Sequence, residues 1–254
     1  MQHVTVEVHD GIALVRMERP PANALDPVLG QELIDVGSEL CSSPPRAVVL
    51  TGHERAFSAG LDLKIVPTLE PELQREMVMG VNRMVAAWYP IEAPVVAAVN
   101  GHAIAGGLVL ALCADYRVGS TTGKLGLTEV RAGIPFPAAA IALVLAELAP
   151  PVARVLCLRG ELLDPPAALE ARLVDELAHP EGVVTRALDV AGELAALPAP
   201  AYAKIKRQLR ERTIAEVERI VREDDDPLAD TWLSGETAAA AAALLRPTGS
   251  GSPN

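Results

Sequence analysis

Aromatic residues are scarce in this chain of 254 residues. Only 3% of its positions are Phe, Trp or Tyr, whereas hydrophobic residues of all kinds make up 50%. A core with so few rings must be filled by small and branched aliphatic side chains on closely packed elements. Because proteins hold unpaired bases largely by stacking them on aromatic rings, a single-stranded nucleic acid is not an expected partner.

Positive charge is also in short supply. The chain has 22 Lys and Arg against 33 Asp and Glu, which gives a formal net charge of −11. This field opposes attraction to nucleic-acid phosphates and to an anionic membrane surface. We therefore expect neither nucleic acid nor membrane as a partner, and an anionic ligand would need locally placed cations and backbone donors.

Paired cysteines and long apolar runs are absent as well. Cys41, Cys113 and Cys157 are widely spaced and form no Cys-x-x-Cys pair, which suits a reducing compartment. The five histidines lack paired metal-ligand spacing, so no metal is expected. No apolar stretch is long enough to span a bilayer, and residues 1–8 alternate rather than forming a signal peptide. The sequence predicts a cytoplasmic protein.

Hydrophobic periodicity predicts strands and helices in alternation. The expected elements are a hairpin over 4–17, helices over 27–41, 69–88 and 106–112, and strands at 47–50, 95–99, 113–118 and near 125, followed by an apolar stretch over 137–148. This order indicates an α/β chain of repeated strand–strand–helix units. Residues 1–197 form the predicted core, 198–246 a helical region with a helix over 236–245, and 247–254 a disordered tail.

Two corners rich in small residues follow predicted strands. At Ala105-Gly106-Gly107 a strand leads into a helix, whose first free N–H groups are ready donors to negative oxygen. Close packing of the helix on a strand is an alternative explanation of the two glycines. The spacing matches neither the dinucleotide fingerprint nor a phosphate loop.

The second corner runs from Ala56 to Leu63. Its Ala-Phe-Ser-Ala-Gly segment approaches the Gly-x-Ser-x-Gly motif of serine hydrolases, with Ser58 in the place of the nucleophile. Such a serine must be followed directly by a helix. Residues 61–66 lack helical periodicity and end at Pro67, so this alternative is disfavoured.

The sequence resembles the crotonase (enoyl-CoA hydratase/isomerase) superfamily over roughly residues 3–195. The resemblance rests on the order and spacing of four segments, which are the two corners, Asn23-Ala24-Leu25 and residues 113–117. The resemblance implies a crotonase-like superhelix of strand–strand–helix turns with a C-terminal helical extension. It also implies a homotrimer or dimer of trimers, with 198–246 as the trimerisation region. Asp115 and Arg117 match a motif with a structural role.

The resemblance further implies an acyl-CoA thioester substrate and no separate cofactor. The backbone N–H groups of Leu61 and Gly106 would form an oxyanion hole for the thioester enolate, where each donor can lower the barrier by about 3 to 4 kcal/mol. The remaining residues implied to contact coenzyme A, with Lys64 as a phosphate contact, are Asn23, Ala24, Leu25, Ala59, Gly60, Asp62, Lys64 and Gly107.

The expected reaction depends on carboxylates. In hydratases of this family, two glutamates hold one water molecule between them. In this chain the position of the first glutamate is Val109, and that of the second is Glu129. The aspartate of dienoyl-CoA isomerases is replaced by Pro137. Apolar neighbours should raise the pKa of Glu129 toward neutrality, which suits a base that moves a proton from C2 to C4 of a 3-enoyl-CoA.

Two alternatives to this isomerase remain open. One is an enoyl-CoA hydratase of fatty-acid oxidation. The other is a non-catalytic homologue that binds acyl-CoA for carriage or regulation, in which the missing second glutamate would mark lost activity.

Overall fold

The computed structural model describes residues 1–227 and 229 of the chain. The strands are β1 Val4–His9, β2 Ile12–Met17, β3 Ala47–Thr51, β4 Ala56–Ser58, β5 Val95–Val99, β6 His102–Ile104, β7 Tyr116–Ser120, β8 Leu125–Gly126, β9 Leu162–Leu163 and β10 Glu176–Ala178. The helices are α1 Pro27–Ser42, α2 Pro71–Trp88, α3 Gly106–Leu112, α4 Glu129–Ala132, α5 Ala138–Glu147, α6 Pro150–Arg159, α7 Pro165–Glu170, α8 Val183–Ala195 and α9 Ala199–Glu223.

The strands form one large and one small sheet. The large sheet has the order β1-β2-β3-β5-β7-β10, and the small sheet has the order β4-β6-β8-β9. Successive stretches of chain give one strand to the large sheet, one to the small sheet and then a helix, as in β3-β4-α2, β5-β6-α3 and β7-β8-α4. The predicted strand–strand–helix repeat is therefore confirmed.

The local sequence determines where helix α1 begins and which face it buries. The Asp26 side chain accepts a hydrogen bond from the Leu29 N–H, and Pro27 occupies the first helical position, where it loses no hydrogen bond. The apolar stripe of the helix is buried and packs against α2. Trp88 at the end of α2 donates its indole N–H to the Leu33 carbonyl at 2.8 Å. The sequence prediction for both helices is confirmed.

The small sheet places three chain corners side by side. β4, β6 and β8 are parallel, with Ser58 paired to Ala103 and Ile104 paired to Gly126. Parallel strands in register end at the same edge of their sheet. The segments that follow them, 59–61, 105–106 and 127–129, therefore meet at that edge.

The predicted strand over 113–118 begins later than expected. Cys113 and Ala114 lie in the turn that ends α3, where their N–H groups donate to the Leu110 and Ala111 carbonyls, and β7 begins at Tyr116. Both residues are buried. A short apolar segment has the same hydrophobic pattern at the end of a buried helix as in a buried strand, and the strand was therefore predicted to begin too early.

Pro198 and Pro200 lie at the start of α9, and this helix packs on the rest of the protein. Ile214, Val217 and Ile220 are buried in the main core, and α9 packs against α5 and α2. Two buried cations of α9 form ion pairs with Asp115. The Lys206 Nζ atom lies 2.7 Å from Oδ2 of Asp115, and the Arg210 Nη2 atom lies 3.1 Å from Oδ1. Asp115 thus has the structural role that was expected.

Several predictions about the C-terminal region stay predictions. Assembly into a trimer and the trimerising role of 198–246 are among them. The helix predicted over 236–245 and the tail over 247–254 lie outside the described residues. None of the described helices is both long and apolar enough to cross a membrane.

Helix α3 approaches β4 so closely that a side chain at Gly107 has no room. A Cβ atom there would lie 2.2 Å from the Ser58 carbonyl oxygen, whereas a Cβ at Gly192 in α8 would meet nothing within 4 Å. We expect Gly107→Ala to lower the free energy of unfolding by about 2 to 3 kcal/mol, because backbone must shift. Gly192→Ala should raise it by up to about 1 kcal/mol. Urea denaturation of both variants checks this, and equal stability would contradict the close approach.

Candidate active site

The first corner leaves the N–H of Leu61 without an acceptor. The loop before α1 pairs with this corner, because the Leu25 N–H donates to the Gly60 carbonyl and the Asp62 N–H donates to the Leu25 carbonyl. In an extended segment neighbouring N–H groups point to opposite sides. The Leu61 N–H therefore points away from the loop, and no described residue accepts a hydrogen bond from it.

The second corner presents the N–H of Gly106, the first residue of α3. The preceding N–H, of Ala105, donates to the Gly126 carbonyl at 2.8 Å, but no described residue accepts from Gly106. Ala105 has φ 51° and ψ −124°, a strained backbone for a residue with a side chain. Strain of this kind clusters at functional sites, where it fixes the direction of neighbouring groups.

The two corners touch each other. Gly60 has φ +75°, and a Cβ atom on it would lie 2.8 Å from the Ile104 carbonyl oxygen and 3.0 Å from the Gly106 nitrogen. Only a residue without a side chain fits both this conformation and this contact. The free N–H groups of Leu61 and Gly106 therefore belong to one small region at the edge of the sheet.

Ser58 is buried behind this edge instead of being exposed on it. Its hydroxyl donates to the Asn23 carbonyl at 2.7 Å and accepts from the Gly60 N–H at 3.2 Å. No helix follows it, since residues 59–65 are irregular. The serine-hydrolase alternative is therefore wrong, because a nucleophilic serine must be accessible at the start of a helix.

Asn23 is 1% exposed and holds the corner together. Its side-chain amide donates to the carbonyls of Ala56 and Phe57, and its oxygen accepts from the Arg19 N–H. All of these groups are inside the protein. The Asn23 side chain is therefore engaged within the protein, and the expected contact between Asn23 and coenzyme A stays a prediction.

Arg19 organises the same region and had no signal in the sequence. Its guanidinium pairs with Asp26 at 2.8 Å and with Asp62 at 3.0 Å, and donates to the Ala24 carbonyl. This arginine ties the loop before α1 to the corner after β4. Asp62 is consequently engaged inside the protein, whereas Lys64 is exposed.

Glu129 stands at the third corner, at the start of α4. It lines a cavity of about 60 Å³ together with Ala59, Leu61, Leu63, Val81, Ala105, Gly106, Val109, Thr128, Ala132, Ile134, Pro137 and Ala140. The cavity thus includes both residues whose N–H groups are free. Part of Glu129 faces this space, while its Oε2 atom is buried and has no hydrogen-bond partner among the described residues.

The cavity contains one ionisable side chain among its described lining residues. Burial raises the pKa of Glu129 from 4.5 to about 7, and a hydrogen bond from its own backbone N–H opposes part of the shift. Val109 and Pro137 also line the cavity, and they stand where the family resemblance places the second glutamate of hydratases and the aspartate of dienoyl-CoA isomerases. Thr128 supplies the only other polar side chain in that lining. Near neutral pH, Glu129 can both accept and release a proton.

Other predicted contact residues are distributed around this cavity. Leu25 and Leu61 line a neighbouring cleft of about 320 Å³ between α1 and α2. Leu61 and Val81 belong to both spaces and form their common wall. Helix α2 contributes to both spaces through Val81.

Gly107 does not line either space, because it packs against β4. Its expected contact with coenzyme A stays a prediction. Ala24, Asp62 and Lys64 lie outside both linings, and their contacts with coenzyme A stay predictions. Among the described residues, no group of three or more His, Cys, Asp or Glu side chains could hold a metal ion.

Comparison with known proteins identifies the family. A sequence model of the enoyl-CoA hydratase/isomerase family matches residues 7–236. The chain belongs to this family of acyl-CoA enzymes. The match extends beyond the 3–195 range that the motifs cover, through the described part of the C-terminal helical region.

Relatives in the family carry both activity names. A putative enoyl-CoA hydratase of Thermus thermophilus is 35% identical over 211 residues, which are 80% of this chain and 82% of the relative. The (E)-benzylidenesuccinyl-CoA hydratase of Thauera aromatica is 31% identical over 76% of each chain. Among solved structures, an Mtb enoyl-CoA isomerase has a TM-score of 0.80 and 30% identity, over 87% of this chain and 97% of that one.

The buried carboxyl group of Glu129 should make stability depend on pH. Its pKa of about 7 in the folded chain exceeds the ordinary 4.5, so the neutral form favours folding, and this benefit is lost as pH rises from about 4.5 through 7. We expect Glu129→Gln to raise the melting temperature at pH 8 and to leave it almost unchanged at pH 4.5. Thermal denaturation at both pH values measures this, and an equal shift at both would refute the burial argument.

Proposed function

We propose that this chain isomerises 3-enoyl-CoA to 2-enoyl-CoA, with Glu129 as the single proton carrier. The observation that carries the proposal is the cavity at the edge of the small sheet, where one buried carboxylate faces two free backbone N–H groups among otherwise apolar walls. Family membership makes an acyl-CoA thioester the substrate class to place there.

The thioester oxygen would lie between the N–H groups of Leu61 and Gly106. Removal of a proton from C2 puts negative charge on this oxygen, and fixed backbone donors stabilise that charge without rearranging. The strained Ala105 and the missing side chain at Gly60 keep the two donors together. Because backbone groups do not titrate, the hole would work across the whole pH range in which the protein is folded.

Glu129 would then move one proton within the substrate. The ionised carboxylate takes the proton from C2, the double bond shifts from C3–C4 to C2–C3, and the resulting carboxylic acid returns the proton to C4. No water is added and no second acid is needed. A pKa of about 7 keeps both protonation states accessible during this cycle.

The rest of coenzyme A would run along the cleft between α1 and α2. This cleft shares Leu61 with the reaction cavity and is the larger of the two spaces. Leu25 and Leu61 would contact the chain next to the thioester. Arg83 is a candidate phosphate contact, because it is the one cationic side chain among the described residues that line the cleft, where it pairs with Glu76 at 2.6 Å.

Hydration of 2-enoyl-CoA is the second candidate, and the names of several relatives favour it. Hydration must hold and activate a water molecule in addition to protonating the substrate. Val109, which is 1% exposed, replaces the second carboxylate with an apolar side chain. A binding protein without activity is a weaker candidate, because a retained buried carboxylate costs stability that a mere binder would not need.

The purified chain should isomerise 3-hexenoyl-CoA. Glu129→Gln should lower kcat by about 10² to 10⁴, since general-base catalysis is lost while shape is kept. In the wild type, kcat/KM should rise with pH and level off above about 7, because the base must be ionised. Glu170→Gln, the same change at an exposed glutamate of α7, serves as the matched control and should leave kcat unchanged. An unchanged Glu129→Gln variant would eliminate the mechanism.

Restoring the second carboxylate should add hydration. We expect Val109→Glu to hydrate crotonyl-CoA faster than the wild type does, because a water could then be held between two carboxyl groups. Val109→Gln is the matched control, since it has similar size and no acid. Loss of absorbance from the conjugated thioester measures the rate. If the wild type hydrates crotonyl-CoA faster than it isomerises 3-hexenoyl-CoA, the proposed reaction is wrong.

A further inference from the structure

The wall of the cavity away from the sheet edge is built from α2, the start of α5 and the loop after α4. Val81 comes from α2 and Ala140 from α5, which Pro137 directly precedes. Ala132 ends α4, and Ile134 lies in the loop after it. Because the carbonyl oxygen would be held at the sheet edge, an acyl chain would extend toward this wall. The position of α5 therefore determines how much acyl chain the cavity accepts.

A buried polar pair fixes the start of α5. Asn82, next to the wall residue Val81, accepts from the Ala139 N–H at 2.9 Å and donates to Asp226 at 2.8 Å. Asp226, beyond the end of α9, also accepts from the Ala138 N–H at 2.8 Å. Asn82 is 0% exposed and Asp226 is 7% exposed.

This pair replaces an ordinary helix cap. Pro137 precedes α5 and has no side chain that could accept from the first N–H groups of the helix. Asn82 and Asp226 supply those acceptors from two distant parts of the chain, and the negative charge of Asp226 favours the positive end of the helix. A buried carboxylate without hydrogen-bond donors destabilises the folded chain. Asp226 is therefore held where the Asn82 amide and the Ala138 N–H can both donate to it.

The segment after α9 also packs behind the same wall. Ala229 is buried in a cluster with Ala132 and Ile134, two of the residues that line the cavity. Residues 226 and 229 thus support the wall through one polar and one apolar contact. Neither residue lines the cavity itself.

We propose that Asn82 and Asp226 are positioning residues that set the acyl-chain length this site accepts, and that the preferred substrates are short acyl-CoA thioesters. The inference rests on the proposed function for the place of the acyl chain. The cavity has a volume of about 60 Å³ and is much smaller than the neighbouring cleft of about 320 Å³, so it offers little space for an acyl chain. A longer chain needs the start of α5 to move, which the Asn82–Asp226 pair resists.

Equilibrium binding of saturated acyl-CoAs tests this without requiring turnover. Calorimetry should compare butyryl-, hexanoyl-, octanoyl- and decanoyl-CoA on the wild type and on Asn82→Ala and Asp226→Ala. We expect the wild type to bind the two shorter ligands at least tenfold more tightly than decanoyl-CoA. Both variants should reduce that preference to less than threefold, because the wall can then yield.

Two matched variants separate positioning from general stability. Asp226→Asn keeps an acceptor oxygen and should retain the wild-type preference. Asp225→Ala removes the neighbouring exposed acid, which pairs with Arg219 instead, and should also retain it. Thermal denaturation shows which variants remain folded, and Asn82→Ser offers a milder change if an alanine variant does not fold.

The outcomes are distinct. Equal affinity of the wild type for all four ligands would overturn the inference, whatever the variants do. Equal weakening of all ligands in folded Asn82 and Asp226 variants would overturn it too, since it would indicate a merely structural role. A chain-length preference that the variants relax, in a protein that does not isomerise 3-hexenoyl-CoA, would support this inference and defeat the proposed reaction.

Discussion

The contact between Gly60 and the start of α3 is the constraint on which the site depends. It joins the corner after β4 to the corner after β6, and it exists because β4 and β6 run parallel as neighbours in the small sheet. Two glycines permit it, Gly60 at the contact and Gly107 against β4. Neither N–H group of the site needs a particular side chain, but both need this chain path.

Around that contact the protein is held by buried polar groups that take no part in lining the cavity. Ser58 and Asn23 secure the first corner from inside, and Arg19 joins it to the loop before α1. Such groups are stable in the interior only because each has its partners there. Glu129, which lines the cavity, differs from these three residues, since its Oε2 atom lacks a hydrogen-bond partner among the described residues and its pKa is raised. That contrast supports Glu129 as the proton carrier of the proposed reaction.

Much of the architecture followed from local pattern. The hairpin, the capped α1, the buried strands and the long α2 all have strong periodicity or explicit cap residues, and the structure confirms them. The late start of β7 was missed because a short apolar segment has no decisive period. The strained Ala105 was also invisible, since alanine gives no sign of a positive φ. Arg19, Asn82 and Asp226 have long-range partners, and no local pattern predicts those.

The sequence by itself determined the family and the fold, because these follow from motifs whose order and spacing are fixed along the chain, and the same motifs predicted Glu129 as the carboxylate of the site. It also determined that an apolar residue, Val109, stands where a second carboxylate would. Only the tertiary structure decided which predicted residues share a space. Folding brings Leu61, Gly106 and Glu129 to one edge, yet buries Asn23 and packs Gly107 against a strand. The physical reason is that a residue's access to a ligand depends on neighbours supplied by distant segments, whose packing is settled only when the sheets and helices assemble.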